Sequence, residues 1–284
     1  QPIKANDPKY HPLVDRTLKN MVFVEGGSYM MGDQKNTHID VFGDEVYNYY
    51  FPGETDNKPA HKVTLDGYYM GKFEVTYEEH DVFTTATGRE PTNKRDWDLM
   101  RNKEISEGWR MVSRERRAPE NPAGVSWHGA KEYCEWLRDQ TGLPFDLPTE
   151  AQWEYAARSR GKLVPFATET GYIERGVNYP RGLDHPMPPG RFPSNPLGLY
   201  DMSGNAYEWV QDWYDPEYYS RSPENNPQGS KSGETKVIRG GGVNNSPSGS
   251  GTVSREGSYK YEKEYYSIGF RCVINTDKPL PVGK

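Results

Sequence analysis

The chain has 284 residues, 35 of them basic and 41 acidic, for a formal charge of −6. That balance excludes the broad positive surface that nucleic-acid backbones attract, and no apolar run approaches the roughly 20 residues of a membrane-spanning helix. Only 33% of residues are hydrophobic, yet there are 21 Tyr, 9 Phe and 7 Trp beside 29 Gly and 23 Pro, so we expect one domain with a core of amphipathic rings, many turns and little regular helix or sheet.

Gln1, not Met, opens the chain, as in a trimmed chain or an exported protein after loss of its secretory signal. Residues 1–20 are polar with early prolines, which predicts an extended arm over a domain spanning 21–284. Residues 21–24 are a short apolar run closed by Gly26-Gly27, and 29–32 resume it, predicting a hairpin-like start. Residues 33–59 read as polar loop. His61 to Leu65 then alternates with a period of two, Asp66-Gly67 punctuates it, and Tyr68 to Met70 follows, predicting paired strands. The spacing of Tyr77, His80, Phe83 and Thr84 changes to a helical period that stops at Gly88.

Residues 89–120 form a charged insertion without clear period. The strongest helix runs from Trp127 to Thr141, with Ser126 as N-cap, Gly142 as stop, and Ala130, Tyr133, Cys134 and Leu137 on one face. Thr149 caps a second helix that packs through Trp153, Tyr155, Ala156 and Ala157. Residues 162–195 are loop-like. Two aromatic-rich stretches, 198–214 and 238–275, flank a polar linker at 215–233 and carry complementary halves of one core.

Hydrolase and zinc signatures are missing. No His-Glu-x-x-His or paired Cys-x-x-Cys occurs, and His61, His80, His128 and His185 are scattered. Gly249-Ser250-Gly251 lies in a Gly/Ser-rich loop without the strand-to-helix turn of a nucleophile elbow. Cys134 and Cys272 are either two buried thiols or a disulfide, which needs an oxidising compartment. The turn Asn195-Pro196-Leu197-Gly198-Leu199-Tyr200 is rich in carbonyls, as a calcium shell is, although an ordinary Asn-Pro turn reads the same. Glu208, beside Trp209, reads as a structural acceptor ahead of an acid or base of raised pKa.

Several segments resemble, in order, the signature blocks of the formylglycine-generating enzyme (sulfatase-modifying factor) family. They are Met21 to Ser28 with Met31-Gly32, Val63 to Thr76, Val125-Ser126-Trp127 with Tyr133-Cys134, Leu147 to Ala156, Gly198 to Trp209, Arg239-Gly240-Gly241 and Gly269-Phe270-Arg271. The resemblance implies a single-domain α+β fold related to C-type lectin domains, low in regular secondary structure. It also implies that Cys134 pairs with Cys272, that Asn195, Pro196, Gly198 and Tyr200 supply structural calcium ligands, and that a second calcium site begins at Asn178.

The departure lies just after Gly240-Gly241. Formylglycine-forming members carry two cysteines there, whose thiolates hold Cu(I) and activate oxygen; by spacing, Asn245 and Ser250 stand in those places, which excludes copper-thiolate chemistry at this site. The His-bearing helical domain of the family's iron oxygenases is also missing.

Within the family the chain is most similar to the cysteine-less branch of periplasmic pyoverdine-maturation proteins. That similarity implies oxidation of a dihydropyoverdine chromophore on a peptide siderophore precursor in the periplasm, alongside other maturation enzymes, with the redox cofactor unidentified. Residues 244–264 are then the pocket, with Glu256 as base, Arg255 orienting an acidic substrate, and Asn245 and Ser250 donating hydrogen bonds. Alternatively Glu256 and Arg255 are solvated loop charges. The rival function is a non-catalytic, calcium-stabilised scaffold that presents a secreted peptide to a partner oxidase.

Overall fold

The computed structural model describes residues 6–34, 38–39, 45–46, 56–180, 182–243 and 247–281. Helix α1 (His11–Lys19) leads into β1 (Met21–Val24) and β2 (Gly27–Met31); a short ladder, β3 (His38–Ile39) and β4 (Glu45–Val46), precedes β5 (His61–Leu65) and β6 (Tyr68–Gly71). The expected hairpins do not form. β1 pairs antiparallel with β6, and β2 with β5, so the two arms, 21–31 and 61–71, run side by side antiparallel in a single register. Both arms alternate with the same period, and periodicity alone names no partner. Their close approach needs Gly26, where an added Cβ would lie 2.5 Å from the Leu65 carbonyl oxygen.

α1 corrects the extended arm expected for residues 1–20. Pro12 sits in its first turn, where no amide hydrogen is needed, and Leu13 and Leu18 are buried in the main apolar cluster.

Capping residues set the next helices. α2 (Tyr77–Thr87) opens on a capping box of Thr76 and Glu79 and stops at left-handed Gly88. The insertion that lacked a period holds two helices, α3 (Lys94–Leu99) and α4 (Glu107–Arg116). Their inner face is polar: Ser113 donates to Asp96 at 3.2 Å, and Arg117 reaches the Thr92 carbonyl and Asp81. A polar inner face leaves no apolar stripe to read.

α5 (Trp127–Thr141) runs from Ser126 to left-handed Gly142. β7 (Phe145–Asp146) and α6 (Glu150–Ala157) follow, the latter opened by a capping box of Thr149 and Gln152. β8 (Tyr207–Trp213), β9 (Lys236–Arg239), β10 (Ile268–Gly269) and β11 (Val273–Ile274) complete two sheets, ordered β1-β6-β11-β7 and β10-β8-β9. No helix among the described residues is long and apolar enough to cross a membrane.

Cys134 on α5 and Cys272 beside β11 form a disulfide across 138 residues of chain, their Cα atoms 5.8 Å apart. Replacing both by alanine frees that loop in the unfolded state. We expect a loss of about 2–5 kcal/mol, measured from the urea midpoint against wild type.

Candidate functional site

Helix α6 turns two carboxylates into the core one helical turn apart. Arg239 of β9 bridges them, donating to Glu150 at 3.0 Å and to Glu154 at 2.8 Å. Arg158 adds a second donor to Glu154 at 2.9 Å. Arg255 grips both oxygens of Glu150 at 2.9 Å, and Tyr219 donates to the same carboxylate at 3.2 Å. Asp212, on the inward face of β8, accepts the Glu150 amide at 2.7 Å. Burial, with Glu150 beside it, pushes the Asp212 carboxyl up to about 7.

This arrangement corrects the role expected for Arg255. It is buried, its remaining donors go to the Asp56 and Asp215 carbonyls, and it lies over the rings of Tyr214 and Tyr219. It has no free edge with which to orient a substrate, and it is not a solvated loop charge either. Glu256 is half-buried; its backbone pairs with Ile238 and its Oε1 accepts the amides of Gly257 and Ser258.

Ser250 is fully buried, and its hydroxyl lies 2.8 Å from that of Tyr179. Its carbonyl accepts from Ser203 at 2.8 Å. Gly241, at φ +70°, leaves room for this hydroxyl, which a Cβ there would overlap. Asn245 lies outside the described residues. Arg255 thus belongs to the ion cluster, Glu256 to a tight turn and Ser250 to a hydroxyl pair, and no direct contact joins the three.

Two of the calcium ligands inferred for residues 195–200 have their oxygens engaged within the protein. Asn195 Oδ1 accepts the amides of Leu197 and Leu199, both at 3.1 Å, and its Nδ2 donates to the Ala156 carbonyl. Pro196 follows it in this self-contained turn, which Gly198 closes at φ +85°. The Tyr200 carbonyl accepts Arg271 Nη2 at 2.8 Å, a cation where a ligand oxygen would have to face another cation. Asn178 is likewise engaged, accepting from the Glu174 amide and donating to Glu169 and the Tyr172 carbonyl.

Glu208 takes the structural role expected of it. Arg271 holds it through two bonds, at 2.6 and 2.8 Å, and Trp153 Nε1 donates to it at 2.8 Å. Nearby Glu74 and Asp201 have no guanidinium of their own. Burial, with Asp201 and Glu208 beside it, raises Glu74 well above the usual carboxylate range, and burial pushes Asp201 up to about 6. Among the described residues no three His, Cys, Asp or Glu side chains gather as a metal site.

The sequence reading missed the Glu150–Glu154 cluster and the Tyr179 partner of Ser250. One signal was present for the first. Two glutamates four apart on a helix otherwise made of Ala, Trp, Tyr and one Gln must face inward and need cations.

The sulfatase-modifying factor enzyme 1-like domain matches residues 7–276. Serine/threonine-protein kinase Pkn1 of Chlamydia trachomatis is 32% identical over 84% of this chain and 35% of that protein. The chain spans about a third of the length of such kinase relatives. The formylglycine-generating enzyme of Streptomyces coelicolor is 28% identical, covering 92% of this chain and 91% of that enzyme. Among solved structures, PvdO from Pseudomonas aeruginosa aligns with a TM-score of 0.67 at 26% identity, covering 90% of this chain and 94% of that one.

The Asp212 carboxyl gives a pH signature. Its folded pKa, about 7, lies above its ordinary 3.8, so the folded state binds the proton more tightly. Its contribution to stability is therefore full below about pH 4 and is lost as pH rises towards 7, at up to about 1.4 kcal/mol per pH unit. Asp212→Asn is expected to flatten that fall, read from urea unfolding between pH 4 and 8.

Proposed function

The chain belongs to the sulfatase-modifying factor family, and from that premise we propose that it is a periplasmic maturation protein that oxidises the dihydropyoverdine chromophore of a peptide siderophore. One observation carries this reading. The chain has two cysteines, and both are joined in the Cys134–Cys272 disulfide, which leaves no thiol for formylglycine generation while the family scaffold is kept. The likeness to PvdO supports the siderophore branch.

The reaction removes two hydrogens from the dihydro ring, with dioxygen as the acceptor and hydrogen peroxide as the product. Removing a ring proton needs a base, and Glu256, the half-buried carboxylate of the proposed pocket, is our candidate. The buried Ser250–Tyr179 hydroxyl pair stands at the place of a lost cysteine. A second reading is favoured by one observation: the side chains of Arg255, Glu256 and Ser250 are each engaged in a different local set of bonds. In that reading the chain is a scaffold that presents the peptide to a partner oxidase.

Calcium remains part of the proposal, at a different place. Glu74 is a buried carboxylate and Asp201 a half-buried one, neither with a guanidinium of its own, and a hard cation there would complete its shell with carbonyl oxygens and water. Calcium would act as a structural tie between the end of β6 and the loop before β8, outside the chemistry.

Two measurements test these statements. Purified protein with dihydropyoverdine under oxygen is expected to convert the chromophore, and Glu256→Gln to slow it by about 100-fold; binding without turnover supports the scaffold, and unchanged turnover in the variant removes Glu256 from the mechanism. Saturating calcium is expected to raise Tm by roughly 5 °C over chelator-treated protein. In Glu74→Gln that increment should vanish.

A further inference from the structure

The outer face of β8 is not used by the ion clusters. Asp212 points inward, while its neighbours Gln211 and Trp213 lie on the opposite face and are partly exposed. Gln211 lines a cavity of about 340 Å³ together with Gln152, Gln228 and Asn275, and the carboxylates Asp66 and Asp146 complete its polar wall.

Hydrogen bonds fix the polarity of these amides. The Thr149 amide donates to Gln152 Oε1 at 3.0 Å, so Gln152 Nε2 donates to Asn275 Oδ1 at 2.8 Å and Asn275 is left to present its Nδ2 donor. Gln228 Nε2 donates to the Asn226 carbonyl at 2.8 Å, and its Oε1 accepts Gln211 Nε2 at 3.2 Å, so Gln211 presents an acceptor. Asn226 pairs with Asp66 through two bonds of 3.0 Å, which leaves Asp66 Oδ1 as a charged acceptor. The cleft thus offers donors and acceptors whose orientation is set before any ligand arrives.

An aromatic shelf adjoins it on the same strand. Trp213 meets Tyr261 at 5.1 Å between ring centroids, Tyr261 meets His128 at 5.5 Å, and His128 meets Trp127 at 5.4 Å. Lys236 is clamped between the Trp127 and Trp213 rings at 4.0 and 3.8 Å and donates to the Gln211 carbonyl at 2.9 Å. On the other side, Lys131, one turn after Trp127 on α5, donates to Asp146 at 2.5 Å. Shelf and cleft are therefore parts of one continuous surface.

Each part selects a different chemistry. A peptide main chain alternates N–H donors and C=O acceptors, which fixed carboxamides match. Among the described residues no aromatic ring lines the cleft itself; the rings stand on the adjoining shelf. The lining includes Asp66 and no Lys or Arg, which disfavours anionic ligands. The half-buried rings beside it suit a planar aromatic group.

We propose that the amide cleft and the Trp213–Tyr261 shelf together bind a short neutral or cationic peptide that bears an aromatic ring. This names the substrate-docking surface, and it rests on the reading of the protein as one that acts on a secreted peptide.

The test titrates the full chain, by intrinsic Trp fluorescence and calorimetry, with three probes: dihydropyoverdine, acetyl-Tyr-Ser-Lys-amide and N-acetylglucosamine. Both peptide probes are expected to bind, and Gln211→Ala/Asn275→Ala to weaken them about tenfold with Tm unchanged. Asp66→Asn should weaken the lysine-bearing probe and is a second variant at an exposed position. Equal binding by the variants, no binding of either peptide, or binding of the sugar alone overturns the proposal. Variant-sensitive binding of dihydropyoverdine without turnover keeps the docking surface and sinks the oxidase reading; binding of the tripeptide alone sinks the siderophore assignment.

Discussion

Helix α6 carries the constraint on which the structure depends: two glutamates, Glu150 and Glu154, buried where water cannot solvate them. Each must be matched by a cation, and Arg158, Arg239 and Arg255 converge from three segments to do so. Glu154 also accepts the Gly32 amide at 2.8 Å, while Arg158 donates to the Met30 carbonyl, which ties β2 to the same cluster. Removing one partner of such a buried set costs about 3–5 kcal/mol, because the other charge is left uncompensated. The last third of the chain is thereby anchored to its middle.

The same helix links to a second buried pair. Trp153, between the two glutamates, donates to Glu208, which Arg271 holds from the segment before β11. Arg271 then reaches the carbonyls of Gly71, Lys72 and Tyr200. One guanidinium thus organises a strand end and the turn at 195–200 at once. An arginine can do this because its planar fork presents five donors in fixed directions.

What remains for function is what these clusters leave unused. Arg255, attractive as a pocket residue, is committed to Glu150. Ser250 is sealed under Tyr179, and the disulfide takes both thiols. The outer face of β8 keeps free amide groups and half-buried rings, since strand alternation sends Asp212 to the core and turns its two neighbours the other way.

Local chemistry was legible in the sequence. Ser126 and Thr149 at helix starts, and Gly88 and Gly142 at helix stops, act within one turn of chain, so both ends of α5, the start of α6 and the stop of α2 were readable. The family blocks carried the fold and the Cys134–Cys272 pairing. Partner choice over long separations was decided only in the tertiary structure: which strands pair, that α3 and α4 bury polar faces, that Arg255 serves Glu150, and that Asn195 satisfies itself. A two-residue period says that a strand has a buried face without saying which strand lies beside it. A charged residue says that it needs a partner, and only packing brings residues a hundred positions apart within hydrogen-bonding distance.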